Sequence, residues 1–91
     1  MKVTINWGGK EYSCEMGPVA NFGVFKMGQF KELEIELWQD VELNYWECLL
    51  NTETTFSGVS RYGNSAQEAV NNLYEFLQEE CLYLTNLMNP K

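Results

Sequence analysis

Apolar and polar residues follow two different periods along this chain, and the change between them divides it. From residue 62 to 84, Ala66, Val70, Leu73, Leu77, Cys81 and Leu84 recur at alternating four- and three-residue steps, the spacing that lines side chains along one face of an α-helix. Glu68, Asn71, Glu75, Gln78 and Glu79 fall opposite. Ser65 and Glu68 make a capping-box pair, in which the serine oxygen accepts from the N–H of Glu68 and the glutamate accepts from the N–H of Ser65. The pattern predicts one long helix over 65–84, with a dry face wide enough to cover a sheet. Leu82 lies off the stripe, either because the helix loosens before it or because it marks a contact.

The residues before the helix alternate with the period of strands. Gly8-Gly9 is a two-residue hairpin turn signal, since glycine accepts positive φ at both central positions. That turn sets Trp7 opposite Lys10, Ile5 opposite Tyr12, Val3 opposite Cys14 and Lys2 opposite Glu15, with the apolar pairs on one face. The predicted hairpin occupies residues 1–16. Gly17-Pro18 ends it, and residues 19–30 keep neither period. Phe22, Val24, Phe25, Met27 and Phe30 there either close one end of the core or form an exposed contact surface.

Residues 32–61 are predicted to supply further antiparallel strands. Over 32–38, Leu33, Ile35 and Leu37 alternate with Glu32, Glu34, Glu36 and Trp38, so three carboxylates share the outer face with a tryptophan. Carboxylates two apart on a strand are separated by roughly 6.6–6.8 Å, about the spacing of successive phosphates along a nucleic-acid strand. After a turn over 39–43, residues 44–50 run back with Trp46, Cys48 and Leu50 on the dry face. Pairing Gln39 with Asn44 sets Leu37 against Trp46, Ile35 against Cys48 and Leu33 against Leu50. It also sets Glu47 against Glu36 and Tyr45 against Trp38; the like-charge pair either marks a surface kept for contact or is screened by solvent. A further strand is predicted over 55–61, with Gly58 at a bulge or close approach. The expected architecture is one α+β domain over 1–91: an antiparallel sheet of about five strands with one long C-terminal helix packed on one face.

Composition changes this picture in two ways. The chain of 91 residues has room for one small core, and 13 aromatic side chains argue against disorder. The formal charge of −7 is unevenly spread. The first third is slightly basic, whereas from Glu32 to Glu80 Arg61 is the only cation among many carboxylates. Such a surface repels phosphate backbones and attracts basic proteins; the plainer reading is that it keeps the chain dispersed. No apolar run is long enough to span a bilayer and the first residues lack a signal-peptide core, so the expected location is the cytoplasm. Cys14, Cys48 and Cys81 are odd in number and set among apolar residues, as reduced core thiols are.

Candidate chemistry is sparse. The chain has no histidine, and therefore lacks the usual general base and the commonest metal ligand. It carries no Cys-x-x-Cys, phosphate-binding glycine loop or nucleophile elbow. Carboxylates on an open strand face lack the pocket that would tune them for acid–base work. The expectation is a protein that is not an enzyme, with no catalytic residues, metal or cofactor. Trp7, Trp38, Tyr45 and Tyr62 could stack on bases, but their acidic surroundings favour a protein contact, with aromatic anchors and charge steering.

The run from Gly63-Asn64-Ser65-Ala66-Gln67-Glu68-Ala69-Val70 through Asn71-Asn72-Leu73-Tyr74-Glu75-Phe76-Leu77 follows antiparallel strands. Over these residues the chain resembles the strand-to-helix segment of HicB-type antitoxins and related small phage and bacterial proteins. The resemblance implies a helix packed on a sheet and a role as an antitoxin; the Gly8-Gly9 hairpin departs from it, as does the 51–58 stretch, which lacks that family's proline and glycine segment.

Three functions are therefore expected in order. The first is an acidic, non-enzymatic inhibitor or antitoxin-like protein that binds a basic surface of a partner, such as a nucleic-acid-binding defence protein or toxin, through Glu32, Glu34, Glu36, Trp38, Tyr45 and Glu47. It would bind neither nucleic acid directly nor membrane. The second is a small-ligand or nucleotide-sequestering module, with Arg61 and residues 19–30 lining a cleft for an anion. The third is a structural homo-oligomer held by Phe22, Phe25, Phe30 or Leu82.

Overall fold

A computed structural model of the chain describes residues 1–27, 33–51 and 58–80. Six strands precede one helix: β1 (Lys2–Trp7), β2 (Lys10–Glu15), β3 (Gly23–Met27), β4 (Leu33–Asp40), β5 (Tyr45–Leu50), β6 (Ser60–Gly63) and α1 (Ala66–Glu80). The class is α+β. The expected single sheet of about five strands is corrected, because β1 and β2 form a sheet of their own and β3-β4-β5-β6 form a second, antiparallel one. The cause lies where β2 hands over to β3. Met16 is buried, and its sulfur, with the Cys14 sulfur beside it, occupies the place a side chain on Gly23 would take. The end of the hairpin therefore lies over the inner face of β3 instead of alongside its edge. Ala20 and Asn21, both at positive φ, and the Gly17 N–H bond to the Phe22 carbonyl (2.8 Å) fold the connecting loop back to make this possible.

Within the hairpin the expected register holds at every pair, from Lys2 with Glu15 to Trp7 with Lys10, with Gly8 and Gly9 at φ 61° and 86°. Ile5 and Trp7 point into the core shared with Phe25, Met27, Leu33, Ile35 and Leu37 of the larger sheet. Helix α1 completes that core with Ala69, Val70, Leu73 and Leu77. The stripe predicted from periodicity is thus the buried one as far as Leu77, and Ala69 joins it; Cys81, Leu82 and Leu84 lie outside the described residues. Hairpin and helix are tied together twice. Trp7 meets the Tyr74 ring edge-on at 5.0 Å. The Gln67 amide bonds both backbone groups of Asn6, accepting from its N–H at 2.7 Å and donating to its carbonyl at 2.9 Å, as a neighbouring strand would.

The helix begins with the predicted cap in altered form. The Ser65 hydroxyl accepts from the N–H of Glu68 at 3.1 Å, but the Glu68 carboxylate accepts from the N–H of Asn64, also at 3.1 Å, instead of that of Ser65. Residues 62 and 63 belong to β6, which runs two residues beyond the strand end expected at 61; residues 55–57 lie outside the described part. The β6 edge is blunted, since the Ser60 carbonyl accepts from Arg61 (2.6 Å) and the Tyr62 carbonyl from Asn72 (2.7 Å).

The β4–β5 register is the other correction. Leu37 pairs with Cys48, Ile35 with Leu50, Gln39 with Trp46 and Asp40 with Tyr45. Relative to the pairing expected, β5 has moved by two residues. The turn explains it: β4 continues to Asp40, whose Oδ1 accepts from the N–H of Leu43 at 3.0 Å, and Asn44 closes the turn at φ 55°. A shift of two keeps every side chain on its face. It removes the expected contacts of Glu36 with Glu47 and of Trp38 with Tyr45, replacing them with Glu36–Leu49 and Trp38–Glu47.

Candidate functional site

One face of the four-stranded sheet carries the core; the other has no layer on it among the described residues. Strand alternation places Val24 and Lys26 of β3, Glu34, Glu36, Trp38 and Asp40 of β4, Tyr45, Glu47 and Leu49 of β5, and Tyr62 of β6 on that outer face. Cross-strand pairing orders them in rows. Lys26 lies against Glu34; Val24, Glu36 and Leu49 make the next row; Trp38, Glu47 and Tyr62 the next; Asp40 and Tyr45 the last. Glu47 therefore sits between two aromatic residues, Trp38 on one neighbour strand and Tyr62 on the other.

Ring contacts run along the same end. Phe22, just before β3, lies 6.4 Å from Trp38 between ring centroids, and Tyr45 meets Tyr62 edge-on at 5.4 Å. Glu34, Glu36, Trp38, Asp40, Tyr45 and Glu47 are half-buried, while Tyr62 is 52% exposed. Partial withdrawal from water raises the Tyr45 phenol above its usual 10.0, and the nearby Asp40 carboxylate, Tyr62 and the Glu47 carboxylate push it the same way. Beside Trp38 opens a cleft of about 500 Å³ walled by Ala20, Gln39, Asp40, Val41 and Glu42.

Of the residues singled out from sequence, Glu34, Glu36, Trp38, Tyr45 and Glu47 are together on this face, and Glu32 lies outside the described residues. Arg61 is not with them. It is paired with Cys48 on the core side of the sheet, with its guanidinium carbon 4.3 Å from the centre of the Phe76 ring. Residues 23–27 and Arg61 occupy strands at opposite edges of the sheet, so they do not line a common cleft. Residues 19–27 are split between the two alternatives: Phe25 and Met27 are core, whereas Val19, Phe22 and Val24 are exposed. Phe30 lies outside the described part.

Asp40, Glu42 and Leu49 are the outer-face or cleft residues that sequence reasoning missed, while Phe22 and Val24 fall on the contact-surface side of the two alternatives it left open. Parity held the signal for Val24, because Phe25 and Met27 alternate with it once Gly23 is recognised as the inner-face position left empty for Met16. Among the described residues no group of three or more His, Cys, Asp or Glu side chains is placed to hold a metal ion, and no helix is long and apolar enough to cross a membrane. No family model, curated protein or solved structure matches the chain.

Proposed function

We propose that the protein is a non-enzymatic binder that docks the outer face of its four-stranded sheet onto a basic surface of a partner protein. The observation that carries this reading is the composition of that face: aromatic residues in contact with one another, Phe22 with Trp38 and Tyr45 with Tyr62, interleaved with Glu36, Glu47 and Asp40. Aromatic residues anchor protein interfaces, and carboxylates around them steer a cationic partner into place. A sheet face kept only for solubility would have no use for the aromatic part, and Trp38 and Phe22 would be replaced by polar residues at no cost to the core. The net charge of −7 disfavours a nucleic acid as the direct ligand. A protein whose own basic surface grips nucleic acid suits it, as a defence protein or toxin would, and so the inhibitor and antitoxin class to which residues 63–77 bear a resemblance remains the proposed one, acting in the cytoplasm. The sequestering reading has less support, since Arg61 is engaged with Phe76 and Ser60 and the cleft beside Trp38 is walled by carboxylates.

The test is a triple reversal, Glu34→Lys, Glu36→Lys and Glu47→Lys, in one chain. Wild-type and variant are immobilised over the same cell lysate, and retained proteins are eluted in rising salt and identified. Basic proteins held by the wild type, released by salt, and lost by the variant at least tenfold would support the reading, provided the variant keeps the far-UV spectrum and melting cooperativity of the parent. An identical retained set on both chains would refute it.

A further inference from the structure

At the end of the outer face where β4 turns into β5, concavity and charge coincide. The cleft beside Trp38 has two charged walls, and both are carboxylates, Asp40 and Glu42. Asp40 accepts with one oxygen from the N–H of Leu43, and its second oxygen makes no hydrogen bond among the described residues. Val41 and Leu43, 68% and 69% exposed, project from the turn beside it, and exposed Val19 precedes Ala20 on the opposite wall. Resting on the acidic-face reading, we infer that this cleft is a socket for one arginine side chain of the partner protein, with the guanidinium plane against the Trp38 ring and its N–H groups on the Asp40 and Glu42 carboxylates.

The chemistry of the walls selects this occupant. An anion would meet two carboxylates. An apolar side chain would strip water from those carboxylates and return no hydrogen bond. A lysine ammonium satisfies the charge, but it is a strongly hydrated point with no plane to lay on an indole. Guanidinium is planar, more weakly hydrated, and carries five donors in a fork that matches carboxylate oxygens. The exposed valines and Leu43 around the opening point to a protein as the bearer of that arginine, since a free cation would leave them in water while an interface covers them.

The experiment compares two peptides of equal charge, acetyl-hexaarginine amide and acetyl-hexalysine amide, by calorimetry and by two-dimensional amide and indole NMR of the whole chain. Hexaarginine is expected to bind at least about tenfold more tightly and to shift the Trp38 indole resonance and the amides of residues 40–43. In the Asp40→Asn, Glu42→Gln double variant the preference should collapse, while the amide oxygen that replaces the Asp40 carboxylate still accepts from the Leu43 N–H and holds the turn. Trp38→Leu gives a second, independent loss. Equal affinity for the two peptides would overturn the arginine socket and leave the acidic face standing. A preference that survives the double variant would place the arginine site elsewhere and overturn the cleft. Binding of neither peptide also refutes the socket, and the triple charge reversal then decides the wider reading separately.

Discussion

Replacing Gly63 by alanine should damage this protein through a single methyl group, because the atoms that group would meet are mainly backbone. Only Asn64 and Ser65 separate the end of β6 from the start of α1, so strand and helix meet at close range. A Cβ built on Gly63 lies 2.5 Å from the Ala69 nitrogen and 2.8 Å from both the Glu68 carbonyl carbon and its Cβ. Two of these three atoms are backbone, which cannot swing away as a side-chain tip would. Reaching ordinary contact near 3.5 Å requires the helix to retreat by about 1 Å, and a gap of that size forfeits a quarter to a half of each dispersion contact it opens. Val70 and Leu73, both fully buried, and the Asn72 bond to the Tyr62 carbonyl stand on that seam. Overpacking of this kind costs about 2–3 kcal/mol. The alanine regains about 0.4–1 kcal/mol by restricting the unfolded chain, since Gly63 is not among the glycines at positive φ. The net expectation is a loss of about 2 kcal/mol, visible in urea as a midpoint lower by about 1–2 M. Gly9→Ala is the control: its φ of +86° is strained for alanine, yet nothing lies within 4 Å, so it should cost only about 1–2 kcal/mol of backbone strain. Tryptophan fluorescence through the urea transition measures both. A Gly63→Ala chain as stable as the parent, or more stable, would refute the close approach of β6 and α1.

Two further outcomes follow from the core and its ties. Gln67→Ala removes both bonds to the Asn6 backbone and should destabilise by about 1–2 kcal/mol, with amide exchange at Asn6 accelerated more than at Val3; unchanged exchange at Asn6 would show that the clamp does not form in solution. Burial pushes the Cys48 thiol well above its ordinary 9.0, so above that pH the unfolded chain gives up a proton the native chain retains. Stability must then fall with rising pH, by up to about 1.4 kcal/mol per pH unit from this group, and the stability gap between the parent and Cys48→Ala should narrow from pH 8 to pH 10. A gap constant across that range would contradict the burial of Cys48.

What could be read from the residues was the local, and what escaped was the arrangement of one local unit against another. The β1–β2 hairpin was legible pair by pair because Gly8-Gly9 admits one tight turn and Ile5, Trp7 and Tyr12 agree with it. The helix was legible because a cap and a 3.6-residue period coincide from Ser65 to Leu77. The division into two sheets was not, since it depends on the Met16 sulfur filling the space above Gly23, and a glycine in a strand does not announce what stands over it. The β4–β5 pairing failed by two residues for a related reason. Alternation specifies faces but is indifferent to even shifts, and the turn that decides among them rests on one Asp40 oxygen and on Asn44 at positive φ.

The same indifference governs how much of the candidate site could be foreseen. Glu34, Glu36, Trp38 and Glu47 were assigned to the outer face because their strands alternate, and any even register leaves them there; their neighbours were not foreseen, and neighbours decide chemistry. In the expected register Glu36 and Glu47 oppose each other and waste stability on repulsion. In the register observed Glu47 lies between Trp38 and Tyr62, and Glu36 between Val24 and Leu49, so each carboxylate has apolar flanks. Sequence patterning also sends apolar residues inward by default, which is why it leaves Phe22 and Val24 open between closing the core and forming a contact surface. A sheet that is dry on one side and half-dry on the other defeats that default, because its apolar residues answer to two different surfaces. The core already holds Phe25, Met27, Leu33, Ile35 and Leu37 on the inner side, so the outer aromatics contribute little to the fold that polar residues would not. Under the docking proposed above they are the part of the face that a basic partner would cover, and their placement among carboxylates supports that docking more than the net charge does.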